Sequence, residues 1–262
     1  MAELLFWPAL LAYGEAAVAY LGEARAPGLP GRLATWGVRI GWLAQTALLA
    51  VQAARAEGFP WSTWAGSLNL FVWLVVSAYL IWGCRARFRL LGLVVTPLAV
   101  VLFAVARLGG GTELGSHSHY SNVFLVLHVG LVLAAFAGFT LAAGLAAVYL
   151  IQERRLKRHD AAILRVPAPA LQTLDGLAGR TIAVSLPVLT LGIAVGIVRL
   201  REKGGGLDAL MGVTLATWLA YGTYLALRFR YRWRGRRTAY LALASFVLVI
   251  VIRLALPATH FA

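Results

Sequence analysis

Several residue types are scarce in this sequence, and each scarcity removes a class of protein. One cysteine, Cys84, occurs in 262 residues. A single thiol allows no internal disulfide, no CxxC redox pair and no CxxCH attachment site. The chain is therefore neither a thiol–disulfide exchanger nor a carrier of covalently attached c-type heme. Charged residues make up only 13% of the chain, against roughly 25% in an average soluble domain. Acids are the scarcest charges, with 10 Asp+Glu facing 24 Lys+Arg for a formal net charge of +14. Disorder is excluded by the 61% hydrophobic content, which is far above what a disordered chain carries. The sequence also has no Walker A loop, no GxSxG elbow and no HExxH pair. Its two halves carry no matched pair of Gly/Pro-broken helices of the kind that marks many secondary transporters.

What is abundant is long apolar sequence. A membrane helix needs about 20 mostly apolar residues to cross a hydrocarbon core of about 30 Å. Eight stretches meet this, at about 3–21, 36–54, 65–83, 90–107, 121–151, 181–200, 208–227 and 238–257. Breaks rich in Gly, Pro and Arg (APGLPGR, CRARFR, LGGGTELGSHSH, REKGGG) separate them, as loops require. The expected fold class is an all-α polytopic membrane helix bundle. Residues 1–262 form one membrane domain, with no room for a separate soluble one. The first stretch lacks a basic leading segment and contains Pro8 and Glu15, so it reads as a retained helix rather than a signal peptide. Stretch five exceeds what a bilayer needs, and the basic segment 153–180 after it reads as a polar turn followed by a short surface helix.

The basic residues serve as a topology ruler. Loops one, three, five and seven hold 17 of the 24 Lys+Arg, loops two, four and six hold five, and Arg39 and Arg253 lie inside spans. This split places the odd loops in the cytoplasm, with both termini and the even loops outside. Because the charge alternates with the spans, it reads as membrane topology and not as a nucleic-acid surface.

That orientation sorts the five histidines. His159 falls in the cytoplasmic basic cluster, while His117, His119, His128 and His260 fall outside. The HSH pair at 117–119 has no third ligand nearby to complete a tetrahedral zinc set. His128 lies about two turns into the fifth span, and His260 follows the eighth. Ionisable residues within a span are costly and usually functional, and imidazole is a common ligand of heme iron. Two readings of His128 stand side by side: a packed histidine bonded to a backbone carbonyl, or one of two imidazoles that grip a heme. Glu15 is a span acid that could pair with Arg39, and Asp208 reads as a helix N-cap. The nine Trp residues fall mostly near span ends, as an interfacial belt does.

A series of motifs then resembles the cytochrome c assembly protein family, the integral membrane heme-handling group of CcsA, CcmC and HemX type. LVLHVGLVLAAFAGF resembles its LxxHVxxxxxxYA segment. TWLAYGTYLALR and WRGRRTAYLALASF resemble its penultimate span and following turn, and ALPATHF its LPGLHSY close. GFPWSTWAGSLNLFVWL and DGLAGRTIAVSLPVLTLGIAVG are similar to an early core helix and to the sixth helix. The likeness runs over about 36–262.

The resemblance implies a non-covalent heme b near the outer leaflet of the inner (cytoplasmic) membrane, with His128 and His260 as axial ligands. It matches Asp208, ten residues before Trp218, to the aspartate of the family's tryptophan-rich loop. Arg253, with Arg199, Arg201 and Lys203, is a candidate partner for heme propionates, because Arg presents a planar donor fork to carboxylates. The implied partners are membrane lipid, heme and a second biogenesis subunit carrying an outer soluble domain; nucleic acid is not among them. A stand-alone enzyme is not expected. The sequence departs from the family where the loop ahead of span seven, RLREKGGGLDALM, contains no Trp, and where Gly58 stands in place of a histidine. These departures point towards a HemX-like regulator of glutamyl-tRNA reductase, or a heme-free scaffold, as alternatives.

Overall fold

The computed structural model describes residues 2–23, 28–56, 60–61, 63–83, 88–113, 123–158, 169–203 and 209–255. These residues form eight α-helices and no strand: α1 (Ala2–Glu23), α2 (Leu29–Arg55), α3 (Trp64–Gly83), α4 (Arg89–Leu108), α5 (Val123–Lys157), α6 (Leu171–Lys203), α7 (Ala209–Arg230) and α8 (Arg236–Ala255). Each helix coincides with one of the eight apolar stretches. Five of them, α1, α3, α4, α5 and α6, are long and apolar enough to cross a membrane. Large apolar side chains face outward along the helices, among them Leu4, Trp7, Leu11 and Val18 on α1 and Leu33, Trp36, Ile40 and Leu43 on α2. A soluble protein does not sustain such stripes, whereas lipid solvates them.

Two helix starts depart from the sequence reading: α2 begins at Leu29 rather than about 36, and α6 at Leu171 rather than about 181. The surface helix expected within 153–180 is the beginning of α6, which runs unbroken from Leu171 to Lys203. Pro169 stands two residues before its start, and nothing in LQTLDGLAGR stops a helix once it has started. α6 also reaches beyond the expected end of its span, so Arg201 and Lys203 lie on a helix rather than in a loop. At about 1.5 Å per residue, the 35 residues of α5 reach about 52 Å, well past a hydrocarbon core.

The chain divides into two compact units, Met1–Ser121 with Arg155–Pro169, and Asn122–Arg154 with Ala170–Ala262. In the first, α1 packs against α2 and α4, and α3 packs against α4 and α2, closing a ring of four helices. Buried amides lock this ring. Tyr13 donates its hydroxyl to Gln45 Oε1 at 2.8 Å, and Gln45 Nε2 donates to the side chain and backbone oxygens of Asn69 at 2.9 and 3.0 Å. Gln52 and Asn69 both donate to the Gly111 carbonyl, at 3.1 and 3.2 Å.

That carbonyl is presented by the GGG loop after α4. Gly110 takes φ +79, a left-handed conformation that glycine adopts without strain. Gly111 N then donates to Ala106 O at 2.8 Å and Gly110 N to Arg107 O at 3.0 Å, the paired bonds of a Schellman helix end. A methyl at Gly111 would strike the Ala65 carbonyl, so the loop lies against α3 only because it lacks one.

Replacing Gln45 with leucine would strand the Tyr13 hydroxyl and the Asn69 acceptor inside the bundle. The expected cost is about 1–3 kcal/mol, read as a lower midpoint for unfolding of the detergent-solubilised chain by SDS. An unchanged midpoint would show the network to be energetically idle.

Trp42 and Trp73 correct the reading of the tryptophans as a belt at the span ends. Both lie mid-helix, and their rings stack with centroids 5.9 Å apart. Trp42 donates to Ser77 Oγ at 2.7 Å and Trp73 to Thr46 Oγ1 at 2.8 Å, so the pair bolts α2 to α3. Glu15 and Arg39 do not pair either. The Glu15 carboxylate rests against Gly37, and the Arg39 guanidinium lies 5.1 Å from the centroid of the Trp36 ring.

Candidate functional site

The second unit carries the one candidate ligand whose side chain is described. His128 sits in the second turn of α5, half-buried, with its ring laid across α6. His128 Nδ1 is 2.7 Å from the carbonyl oxygen of Gly192. A carbonyl only accepts, so Nδ1 is the donor, and this bond leaves Nε2 as the nitrogen not engaged with α6. A metal-bound histidine needs this arrangement: its second nitrogen bonds a carbonyl, which fixes the tautomer and the ring plane. The same bond also satisfies the packed-histidine reading, and the two readings differ only in the use of Nε2.

The α6 face beneath the ring is shaped for it. A Cβ at Gly196 would come within 2.6 Å of His128 Cε1 and 2.9 Å of Nδ1. Gly192, one turn earlier, supplies the acceptor and lies closely against Val132 of α5. These two glycines, four residues apart on one helix face, were not singled out by sequence reasoning. The available signal was that spacing, in a helix that otherwise carries bulky apolar residues.

The other expected site residues lie outside what the structure describes. His260 and Asp208 lie outside the described residues, as do His117, His119 and His159. Arg253 falls in the last turn of α8, and Arg199, Arg201 and Lys203 fall at the end of α6; their side chains are likewise outside what is described. Among the described residues, no three His, Cys, Asp or Glu side chains group to hold a metal ion.

At the other end of the same helices is a polar cluster that the sequence reading missed. Arg228, in the last turn of α7, grips Asp175 of α6 with both arms: Nη1 to Oδ1 and Nη2 to Oδ2, each at 3.0 Å. Nη2 also donates to the Asp175 carbonyl at 3.0 Å. Thr238 Oγ1 and Gly235 N, from the turn and start of α8, donate to the same carboxylate at 2.8 and 3.2 Å. The pair is almost out of solvent, with side-chain exposures of 11% for Arg228 and 10% for Asp175. One acid thereby joins α6, α7 and α8. Its signal in the sequence was isolation, since Asp175 is the only acid between Asp160 and Glu202.

Comparison with known proteins adds to this geometry. The family described as Cytochrome C assembly protein matches residues 61–258, which takes in α3 through α8. The chain belongs to that family. Among its relatives, the "Cytochrome c biogenesis protein CcsA" of Microcystis aeruginosa is 29% identical, covering 86% of this chain and 84% of the relative. The CcsA of Picosynechococcus sp. is 27% identical over 88% of this chain and 87% of its own length. That of Guillardia theta is 26% identical over 78% and 75%. No solved structure matches the chain. The protein is thus a helical membrane protein of the cytochrome c biogenesis group, and His128 and the Asp175–Arg228 pair both lie within the matched region.

Proposed function

We propose that this family member is an inner-membrane protein that holds non-covalent heme b near the outer leaflet for cytochrome c maturation, with His128 and His260 as the axial ligands. The observation that carries the reading is the bond from His128 Nδ1 to Gly192 O, which leaves Nε2 free to ligate. His128 fits the group in donor chemistry, tautomer and depth within a span. His260 enters by its match to the family's second histidine. When bound, the heme supplies the vinyl groups that a c-type cytochrome takes up as thioethers. The chain's own residues bind and orient: His128 sets the ring plane, and Arg253, Arg199, Arg201, Lys203 and Asp208 are the outward-facing groups proposed to meet the propionates and the loop ahead of α7.

Orientation follows from the basic residues, 17 of which cluster in the odd connections and the helix ends beside them, which assigns that side to the cytoplasm. A second membrane subunit with an outer soluble domain is the proposed partner, since the described residues form helices and short connections only. The relatives named above are cytochrome c biogenesis proteins, so the missing tryptophans before α7 do not favour a HemX-like regulator or a heme-free scaffold.

Titration of the detergent-purified protein with hemin tests the reading. The expected result is a Soret band with sharp α and β bands on reduction, as six-coordinate bis-imidazole iron gives. A protein that stays colourless through the titration would overturn it. Deletion in the host separates delivery from regulation: delivery predicts loss of covalent heme staining of cytochromes, whereas intact cytochromes with altered glutamyl-tRNA reductase levels would reject it.

A further inference from the structure

The Asp175–Arg228 pair forms one wall of a cavity of about 850 Å³. The cavity is lined by the polar first part of α6, Leu171 to Arg180, ahead of the helix's apolar run. Three features of its lining point to an anionic occupant with an apolar tail. First, Arg180 and Arg234 line it, and neither has an acidic partner among the described residues. Arg228 is also in the wall, but its charge is already cancelled by Asp175. Among the described residues, the cavity therefore carries two cations without an acidic partner.

Second, Tyr149 lines the cavity and is only 9% exposed, yet its hydroxyl has no hydrogen-bond partner among the described residues. That hydroxyl lies against Gly235 on the cavity wall, 3.0 Å from where a Cβ would stand. The ring is buried while the hydroxyl opens onto the cavity, which places a phenol donor at the disposal of an acceptor bound there. Third, the start of α6, from Leu171 to Thr173, forms part of the lining, and the first N–H groups of a helix have no partner within it. Beside these polar groups lies Phe229, 69% exposed, which offers an apolar surface at the cavity's edge.

From this we infer that the cavity binds the phosphate of an anionic phospholipid headgroup, with Arg180 and Arg234 as counter-charges, Tyr149 as a hydrogen-bond donor and Phe229 beside the glycerol and acyl chains. Basic pockets between membrane helices recognise headgroups in this way. A free phosphate would satisfy the cations and the phenol but would leave the apolar surface unused, which is why the lipid is the occupant chosen. The proposal does not involve heme, so its failure leaves the assignment of His128 untouched.

The test is native mass spectrometry of the full chain, delipidated in detergent and offered phosphatidylglycerol, phosphatidylcholine or inorganic phosphate. Phosphatidylglycerol should be retained on the order of tenfold better than phosphatidylcholine. The double variant Arg180→Gln/Arg234→Gln should lose that preference, and Tyr149→Phe should weaken retention about tenfold. Both variants should keep the parent's melting temperature without lipid. The control Arg155→Gln/Arg158→Gln, which removes equal charge outside the cavity, should bind as the parent does. Equal loss in the control, no headgroup preference in the parent, or inorganic phosphate bound as tightly as phosphatidylglycerol would each overturn the assignment.

Discussion

Arg228→Met is expected to destabilise the second unit by about 3–5 kcal/mol, the usual result of removing one partner from a buried ion pair. The guanidinium supplies three of the five hydrogen bonds around Asp175, and side-chain exposures of 11% and 10% leave little room for water to replace them. Without it, the Asp175 carboxylate keeps only Thr238 and Gly235 and must hold its charge in an apolar surrounding or take up a proton. The cost falls where α6 meets α7 and α8, because these bonds are what tie the turn after α7 to α6. Asp175→Leu should be as damaging, since it strands the arginine. The double variant should recover much of the loss, as apolar replacements of whole buried pairs do elsewhere. Unfolding by SDS in mixed micelles, run on the four chains as a cycle, measures the coupling. A single variant within about 1 kcal/mol of the parent would mean that the pair behaves as a surface bridge does.

Gly196→Ala is expected to weaken hemin binding about tenfold to a hundredfold while leaving the helix intact, since alanine favours helix more than glycine does. The added methyl would sit 2.6 Å from His128 Cε1, so the ring must swing away and surrender its bond to Gly192 O. Losing that bond frees the tautomer and the ring plane together. His128→Ala should abolish the six-coordinate spectrum altogether. The two variants therefore separate ligand from positioning: Gly196→Ala retains a weaker, shifted Soret band on titration, and His128→Ala retains none of the bis-imidazole signature. Parental affinity in Gly196→Ala would show that the ring does not need its carbonyl partner, and a parental spectrum in His128→Ala would remove it as a ligand.

Much of this protein was legible in one dimension because a bilayer imposes a one-dimensional constraint. Every backbone group in hydrocarbon must be satisfied within its own helix, so an apolar run of span length implies a helix with no further information. All eight helices were foreseen on that ground, and the starts of α2 and α6 were misplaced where the apolar signal fades into LPGRLAT and LQTLDGLAGR. His128 was legible for the same reason, since an imidazole in such a run is expensive. The glycines that seat it were not, because a glycine in a helix reads as a minor propensity cost until the atom lying over it is known. Gln45, Gln52 and Asn69 likewise look like scattered polar residues until α2, α3 and the Gly111 carbonyl bring them together.

Composition and spacing alone thus determined that this is an all-helical membrane protein, where its helices run, and which imidazole is unusual. The tertiary structure alone decided how that imidazole is held, which acid meets which arginine, and where a charged cavity opens. The reason is physical. Span, charge bias and periodicity are properties of a single segment in its solvent, while a hydrogen bond from His128 to Gly192 or from Arg228 to Asp175 depends on residues 64 or 53 positions apart. Only the packing of one helix on another determines whether those residues meet.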